Sequence, residues 1–479
     1  MNITFTYPRA DFERWEAEGV NTKDLIILVN KHRTNLLPAL DKCFRYYEGY
    51  HAIDGRTRRE PDAPNNKPVC NHAKDIADTS SGYFIGSPVS YGKATDGADL
   101  RGILQAFDTA NVDDADQENS LNLAITGRAY DYTYVKEGLV ELQVMSLDPR
   151  NVFVVRDETI QHDELFAVYY YYKDNTEKAN IVTAGSRQQG PRLVLTLMTA
   201  DRIYTFEGVD TDIKLVDTQT HNLGAVPVTE YRNNKLCIGD FEQQIGLIDA
   251  YNNLMADRVN DKAQFIDAIL VIYGALLGDD EEETDKAWNE LKKKKLLELP
   301  QDGARAEYLT RTFDETSVET LRKALKEDIY TFSHVPNLTD SNFAGNSSGV
   351  AMGYKLLGLE MLTRIKEKYY RIGLKKRISM FCYFLALRKQ HIAPADVTPT
   401  FSRSLPHNLL ELSQIVNNLS GSVSKQTLLS LLPFVEDPDL EIKAVNEESE
   451  EALKRQQEVF KAQASIISNN EQPDDKNND

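Results

Sequence analysis

From residue 21 to residue 126, apolar positions recur mainly at helical spacing. Asn21-Thr22 offers a cap, and Leu25, Ile26, Val29, Leu36, Leu37 and Leu40 follow it. The run 55–68, rich in Arg, Pro and Asn, breaks the pattern as a loop. Further helices are predicted over 71–84, stopped by Gly86 and Pro88, over 98–108 and over 113–125. Between Arg128 and Arg232 the period shortens, and β-rich runs are expected at 130–135, 140–145, 165–172, 193–197, 203–206 and 226–231. Gly138, Asp148-Pro149, Gly190-Pro191 and Gly208 punctuate them as turns. The first half therefore reads as a mixed α+β domain.

The second half returns to helices. One is predicted from Asp240 to Ile269, a rod of roughly 45 Å, longer than a compact domain normally needs. It carries six acids (Asp240, Glu242, Asp249, Asp257, Asp261, Asp267) against two bases, a net −4, and no core partner is evident nearby. Packing against copies of itself is the expectation. Residues 270–313 form a small excursion: an apolar stretch to Tyr273, the acids Asp279 to Glu283, a helix around Trp288, the bases Lys292 to Lys295, then strands at 296–299 and 306–310. Such charge blocks serve equally as solvated faces or docking surfaces. A helix over 317–332 returns from the excursion, and a polar loop, 337–349, follows.

Residues 355–377 then carry Lys355, Arg364, Lys366, Lys368, Arg371, Lys375, Lys376 and Arg377 against only Glu360 and Glu367, a net +6. On a helical wheel Arg364, Lys368, Arg371 and Lys375 share a face, and Met361, Leu362, Ile365, Tyr369 and Ile372 share its neighbour. A solvated basic face beside a core stripe is the plainest reading. After a linker, 393–406, helices are expected at 409–419, 428–434 and from Ile442 onward, and the polar tail 469–479 is expected to be disordered.

Charge and chemistry narrow the class. The 479 residues carry a net charge of −19, which argues against a protein that grips nucleic acid through a basic surface. Cys43, Cys70, Cys237 and Cys382 show no CxxC spacing, so neither zinc nor a disulfide scaffold is indicated, and a reducing compartment fits. No secretory signal is expected, and the apolar runs 265–277 and 378–387 fall short of the ~20 residues of a membrane span. Asp113, Asp114 and Asp116 lack the glycine of a calcium loop and read better as acids in a helix's first turn. No phosphate loop, dinucleotide fingerprint or HExxH is present. Gly345-Asn346-Ser347-Ser348-Gly349 matches GxSxG, and Asp396 and His407 complete a formal triad, but the residues before it are polar where a nucleophile elbow needs a buried strand. No cofactor is expected. An acidic rod, a small excursion, a polar loop and a basic helix suit an assembly component.

The segment Phe343 to Met352, FAGNSSGVAM, continuing through Lys355 to Glu360, resembles the tunnel loop and following helix of the portal proteins of tailed bacteriophages. Asn71 to Tyr91, with DTSSGYFIGSPV inside it, Leu147 to Phe153, Gly224 to Val228 and Leu428 to Pro438 are similar to that family in the same order, most nearly to portals of long-tailed phages of Gram-positive bacteria.

The resemblance implies an α+β portal fold that assembles into a cyclic ring, usually of twelve copies, at the unique capsid vertex. By position, residues 1–239 become the wing, 240–269 and 314–334 the stem helices, 270–313 the clip, 335–349 the tunnel loop, 350–404 the basic helix and return to the wing, and 405–468 the crown. Double-stranded DNA would pass without sequence specificity along the loop residues Asn337, Thr339, Asp340, Ser341, Asn342, Phe343, Gly345, Asn346, Ser347, Ser348 and Gly349. Asp249, Asp257 and Asp261 would line a stem that repels phosphate. Lys355, Arg364, Lys368, Arg371 and Lys375 would pair with the next subunit or face DNA; pairing is favoured, because a basic ring would retard the duplex. The clip residues Glu281, Glu282, Glu283, Trp288, Lys293 and Lys294 would dock terminase and later a head-tail adaptor, with major capsid and scaffolding proteins as further partners and no membrane. Synthesis in the host cytoplasm and no enzymatic activity are implied. The rivals are another ring-forming capsid or head-completion component and a serine hydrolase using Ser347.

Overall fold

The computed structural model describes residues 3–58, 64–94, 98–136, 141–173, 191–209, 211–264, 269–273, 280–294, 303, 305–309, 315–338, 353–403, 409–432, 435, 438, 441–450 and 452. The chain divides into two packed units, residues 1–345 with 354–404, and residues 346–353 with 405–479.

The first unit opens with β1 (Phe5–Thr6) and α1 (Arg9–Glu18), then α2 (Thr22–Asn35) and α3 (Leu37–Glu48). The Asn21 side chain caps α2, accepting from the Lys23 amide at 3.1 Å. The apolar run is divided at Leu36, because Pro38 lacks an N–H and suits the first turn of a new helix. Next come α4 (His72–Phe84), β2 (Ser90–Lys93), α5 (Arg101–Thr109) and α6 (Val112–Thr126). Eight strands follow: β3 (Arg128–Val135), β4 (Leu142–Leu147), β5 (Val152–Arg156), β6 (Glu164–Lys173), β7 (Arg192–Met198), β8 (Arg202–Val209), β9 (Asp212–Thr220) and β10 (Val228–Arg232). Helix α1 and strands β1, β2, β5 and β9 are additions to the elements that the sequence pattern predicts.

The strands form a six-stranded sheet ordered β1-β5-β6-β7-β8-β9 and a three-stranded sheet ordered β10-β3-β4. Strand β1 is parallel to β5, whereas the neighbours from β5 to β9 run antiparallel. Leu25, Ile26, Leu28 and Val29 of α2 bury against Phe153, Phe166, Val168 and Leu195 of the larger sheet, and Trp15 of α1 closes the same cluster. Within it His32 is fully buried and its Nδ1 lies 2.7 Å from the Tyr170 hydroxyl.

The remaining elements are α7 (Ile245–Gln264), β11 (Ile269–Tyr273), α8 (Glu281–Lys294), β12 (Arg305–Leu309), α9 (Glu315–Ser333), α10 (Leu357–Leu387) and β13 (Val397–Thr400). Two of them correct the sequence reading and one extends it. The rod is described as far as Gln264, and Ile269–Tyr273 is a strand paired antiparallel with Arg305–Leu309. Its β-branched and aromatic side chains favour a pleated partner over a helix extension. Helix α10 runs on through the apolar run 378–387, which supplies core residues Ile378, Phe381 and Leu385. The predicted linker 393–406 contains β13, which pairs with β2. The predicted strand 296–299 and the tail 469–479 lie outside the described residues. No helix among the described residues is long and apolar enough to cross a membrane.

Helix α10 lies directly on β10. A Cβ added at Gly373 would sit 2.5 Å from the Tyr231 ring, so glycine permits the approach. The second unit, described by itself, holds α11 (Leu409–Leu419), α12 (Lys425–Leu429), and helical residues 441–450. Ser424 caps α12, accepting from the Thr427 amide at 3.3 Å.

Burial, with the charge of Arg128 adding to it, lowers the His32 pKa to about 4. The unfolded chain takes up this proton near pH 6.5 and the folded chain only near 4, so the stability contributed by neutral His32 is present above pH 6.5 and is lost as pH falls towards 4. Urea midpoints measured across this window should fall more steeply for the native chain than for His32→Gln, which has no proton to gain.

Candidate functional site: the long helix and the helical hairpin

At 100° per residue α10 carries two apolar stripes. The structure buries the one running through Leu359, Thr363, Lys366, Tyr370, Leu374, Arg377, Phe381 and Leu385. Of the other, expected to be core, Met361 (61%), Ile365 (46%) and Ile372 (61%) are exposed, and Leu362 and Tyr369 are half-buried. The choice goes to the stripe that contains charges because their partners are waiting beneath it.

Arg377 is fully buried and grips Asp116 of α6 with two bonds of 2.7 Å. The same guanidinium donates to Asp131 of β3 at 3.2 Å and to the Tyr91 hydroxyl at 3.0 Å. Tyr370 donates to Asp116 and Tyr231 to Asp131, at 2.5 and 2.6 Å, and the two rings stack with centroids 4.3 Å apart. Burial raises the Asp131 pKa, against the opposing charge of Arg377. About three turns earlier on the helix, buried Lys366 pairs with Asp240 and donates to Ser80 Oγ at 2.6 Å. Beside Arg377, Lys376 pairs with Glu164 and donates to the Val228 carbonyl at 2.6 Å.

A second buried group continues the line. Glu230 is held by Arg128 at 2.7 Å, Arg232 at 2.9 Å and Arg156 at 3.0 Å. Burial alone would raise its pKa; the three guanidiniums hold it at about 2. The sequence reading missed Asp116 in this role, along with Asp131, Glu164, Glu230 and Tyr370. The available signal was Lys366 and Arg377 falling inside an apolar stripe of the wheel.

The predicted basic residues divide accordingly. Arg364 binds Glu360 at 2.9 Å and Arg371 binds Glu367 at 2.6 Å, both one turn away. Arg403 clamps the same two glutamates from outside the helix, at 2.9 Å each. Lys368 lies over the Tyr369 ring and Lys375 is exposed; neither has an ion-pair partner among the described residues. Lys355 is half-buried, just before the start of α10.

The hairpin of α7 and α9 corrects the expectation of a rod without partners. Arg258 reaches across to Glu315 and Glu319 at 3.0 and 2.9 Å, and Lys262 to Glu315 at 2.9 Å. Two of the three predicted acids are also tied within the chain. Asp249 accepts from the Tyr46 hydroxyl at 3.0 Å, and Asp257 pairs with Arg56 and, at 3.8 Å, with Arg58. Asn252 and Asn260 bind the amides of Cys70 and Asn66, at 2.8 and 2.6 Å, fastening the loop that precedes α4 along α7. Asp261 has no ion-pair partner among the described residues.

Beyond the hairpin, Glu281, Glu282 and Glu283 occupy the first turn of α8, with the Glu283 amide capped by Asp280 at 2.8 Å, and Trp288 is partly exposed. Lys293 and Lys294 lie on α8, but their side chains are outside the described residues. Asn337 is described; Thr339, Asp340, Ser341, Asn342, Phe343, Gly345, Asn346, Ser347, Ser348 and Gly349 are not. Of the formal triad, Ser347 and His407 are likewise outside, and Asp396 sits on the turn leading into β13. No cluster of metal-ligating side chains occurs among the described residues.

A mixed helix and strand body braced by buried ion pairs, with a helical hairpin carrying a small two-stranded tip, has the makings of a structural component for an assembly. The family model described as phage portal protein, SPP1 Gp6-like, matches residues 28–455, and the chain belongs to that family. It is a phage portal protein, a head-tail connector, of a family that is structural and not enzymatic and whose members are virion components at the capsid vertex. The chain is 23% identical over 459 residues to the portal protein of Bacillus phage SPP1, covering 88% of this chain and 85% of that one. It is 28% identical over 282 residues to the portal protein of Clostridium phage phiCD119, covering 57% of each. Among solved structures, the neck of a native GTA particle computed with C12 symmetry is similar at 12% identity, with a TM-score of 0.44 over 75% of this chain and 89% of that one.

Removing Arg377 strands two buried carboxylates. Arg377→Met should lower stability by about 3–5 kcal/mol, read as a fall in the urea midpoint, whereas Lys375→Met on the exposed side should stay within about 0.5 kcal/mol.

Proposed function

We propose that copies of this chain close into a ring at the unique capsid vertex, through which double-stranded DNA is packaged and later ejected. The reading rests on the family match, which spans 28–455 and so takes in every strand of the sheets but β1, the hairpin with its tip, the polar loop and the long helix. Residues 1–239 act as the wing, α7 and α9 as the stem, 270–313 as the clip, 335–349 as the tunnel loop, α10 and the segment to 404 as the return to the wing, and 405–468 as the crown. Twelve copies is the number that the resemblance implies. The chain does no catalysis, and it is made in the host bacterial cytoplasm before entering the virion.

Terminase docks on the clip during packaging and adaptor proteins afterwards, meeting the exposed acids of α8 and Trp288. The duplex slides past the polar, glycine-containing loop without base-specific contacts. The stem's part in this is smaller than its composition suggests. Asp257 is paired with Arg56 and Arg58, whereas Asp249 accepts from a neutral tyrosine and Asp261 has no ion-pair partner among the described residues, which leaves those two with charge to spare for a channel wall.

Negative-stain images of the purified full chain should show rings with a central hole, and light scattering should give a mass many times the 54.2 kDa of one chain. A uniform monomer would overturn the reading. Ester hydrolysis by the purified chain that disappears in Ser347→Ala would replace it with the hydrolase.

A further inference from the structure

We propose that neighbouring copies join by seating the exposed face of α10 in one copy against the exposed acidic face of α5 and α6 in the next. The inference rests on the ring reading and names the surfaces that close it.

The exposed face of α10 is an apolar spine of Leu357, Met361, Ile365 and Ile372, with Lys368 and Lys375 set along it. A solvated helix face has no need of four large apolar side chains in a row, and such a face marks a docking surface. Nor does a phosphate backbone, which takes the lysines and has no use for the spine. A protein surface with acids to offer satisfies both.

Such a surface exists on this chain. Asp113, Asp114 and Glu118 stand exposed on α6, with Asp108 and Leu104 exposed on α5 beside them. Among the described residues none of these four acids has an ion-pair partner. Partial burial, then Asp116, raises the Asp113 pKa, with Asp108 adding to it; partial burial, then Asp114, raises that of Glu118. The patch is thus an excess of negative charge awaiting a cation.

The two faces also point the right way. Helices α6 and α10 are joined through Asp116 and Arg377. Lys368 lies nine residues before Arg377, about 180° round α10, and Asp114 and Glu118 each lie two residues from Asp116, about 160° round α6. The basic apolar face and the acidic face therefore look outward on opposite sides of one bonded helix pair. A heterologous contact between unlike faces is what generates a ring, whereas a self-complementary face stops at a dimer.

The test uses two charge-reversed full chains, Lys368→Glu with Lys375→Glu, and Asp114→Lys with Glu118→Lys. All four sites are exposed, so urea midpoints should match the native chain. Each variant alone should show about a tenfold fall in assembled fraction at about 0.1 M salt, because like charges then face each other. Mixed in equal amounts, they should regain rings, since every acidic face then meets a basic one in alternation. Rings from either variant alone at the native yield, or a mixture that assembles no better than its components, would overturn the proposed interface. A native chain that never exceeds monomer mass overturns the ring reading instead.

Discussion

A guanidinium with no access to water must have its charge answered on the spot, and Arg377 sets the terms for everything packed round it. Its planar fork takes Asp116 from α6 on one side and Asp131 from β3 on another, so a helix, a strand and α10 are brought to one point with fixed orientation. Apolar packing alone would tolerate a slip of α10 along its groove. Two-pronged geometry does not, and Lys366 and Lys376 repeat the constraint, each with its own acid. The Tyr231 ring, stacked on that of Tyr370, then fills the space that Gly373 leaves open.

The distribution of charge follows from this. The net +6 of residues 355–377 is a property of the sequence and not of the surface. Lys366, Lys376 and Arg377 are spent inside on Asp240, Glu164, Asp116 and Asp131, and Arg364 and Arg371 are matched along the helix by Glu360 and Glu367. The acidic rod is likewise answered by Arg56 and Arg58 from the loop before α4, while its own Arg258 and Lys262 serve α9. Opposite charges far apart in sequence cancel across the interior. Among the described residues, Lys368 and Lys375 on α10 and Asp108, Asp113, Asp114 and Glu118 on α5 and α6 are left exposed without ion-pair partners.

The sequence made the helices with clear caps legible: Asn21 announced α2, and the Gly86 and Pro88 stop bounded α4. Strands buried on both faces were harder. Val152–Arg156 lacks alternation because both faces of β5 are covered, Phe153 and Val155 in one core cluster and Val152 and Val154 in another, and β9, exposed at the sheet's edge, is too polar to stand out. The hairpin with its strand-bearing tip was legible from the order of helix, charge blocks and returning helix. The orientation of α10 was not. Its two apolar stripes are of similar strength on the wheel, and only acids more than a hundred residues away decide between them. Long-range pairing of this kind leaves a local trace only as a charge where an apolar residue is expected.

Helix α10 is one uninterrupted run of 31 residues, and its fastenings are unevenly placed. Lys366, Lys376 and Arg377 hold the middle and the C-terminal part, while the first nine residues, roughly 13 Å of helix, are held by buried Leu359 and Thr363 and by Glu360, which accepts from Tyr83 at 3.0 Å and Arg403 at 2.9 Å. A load entering at Leu357, close after residues 335–349 in the chain, would therefore meet the Glu360 clamp before it reached Lys366 and the buried grip on Asp116 and Asp131.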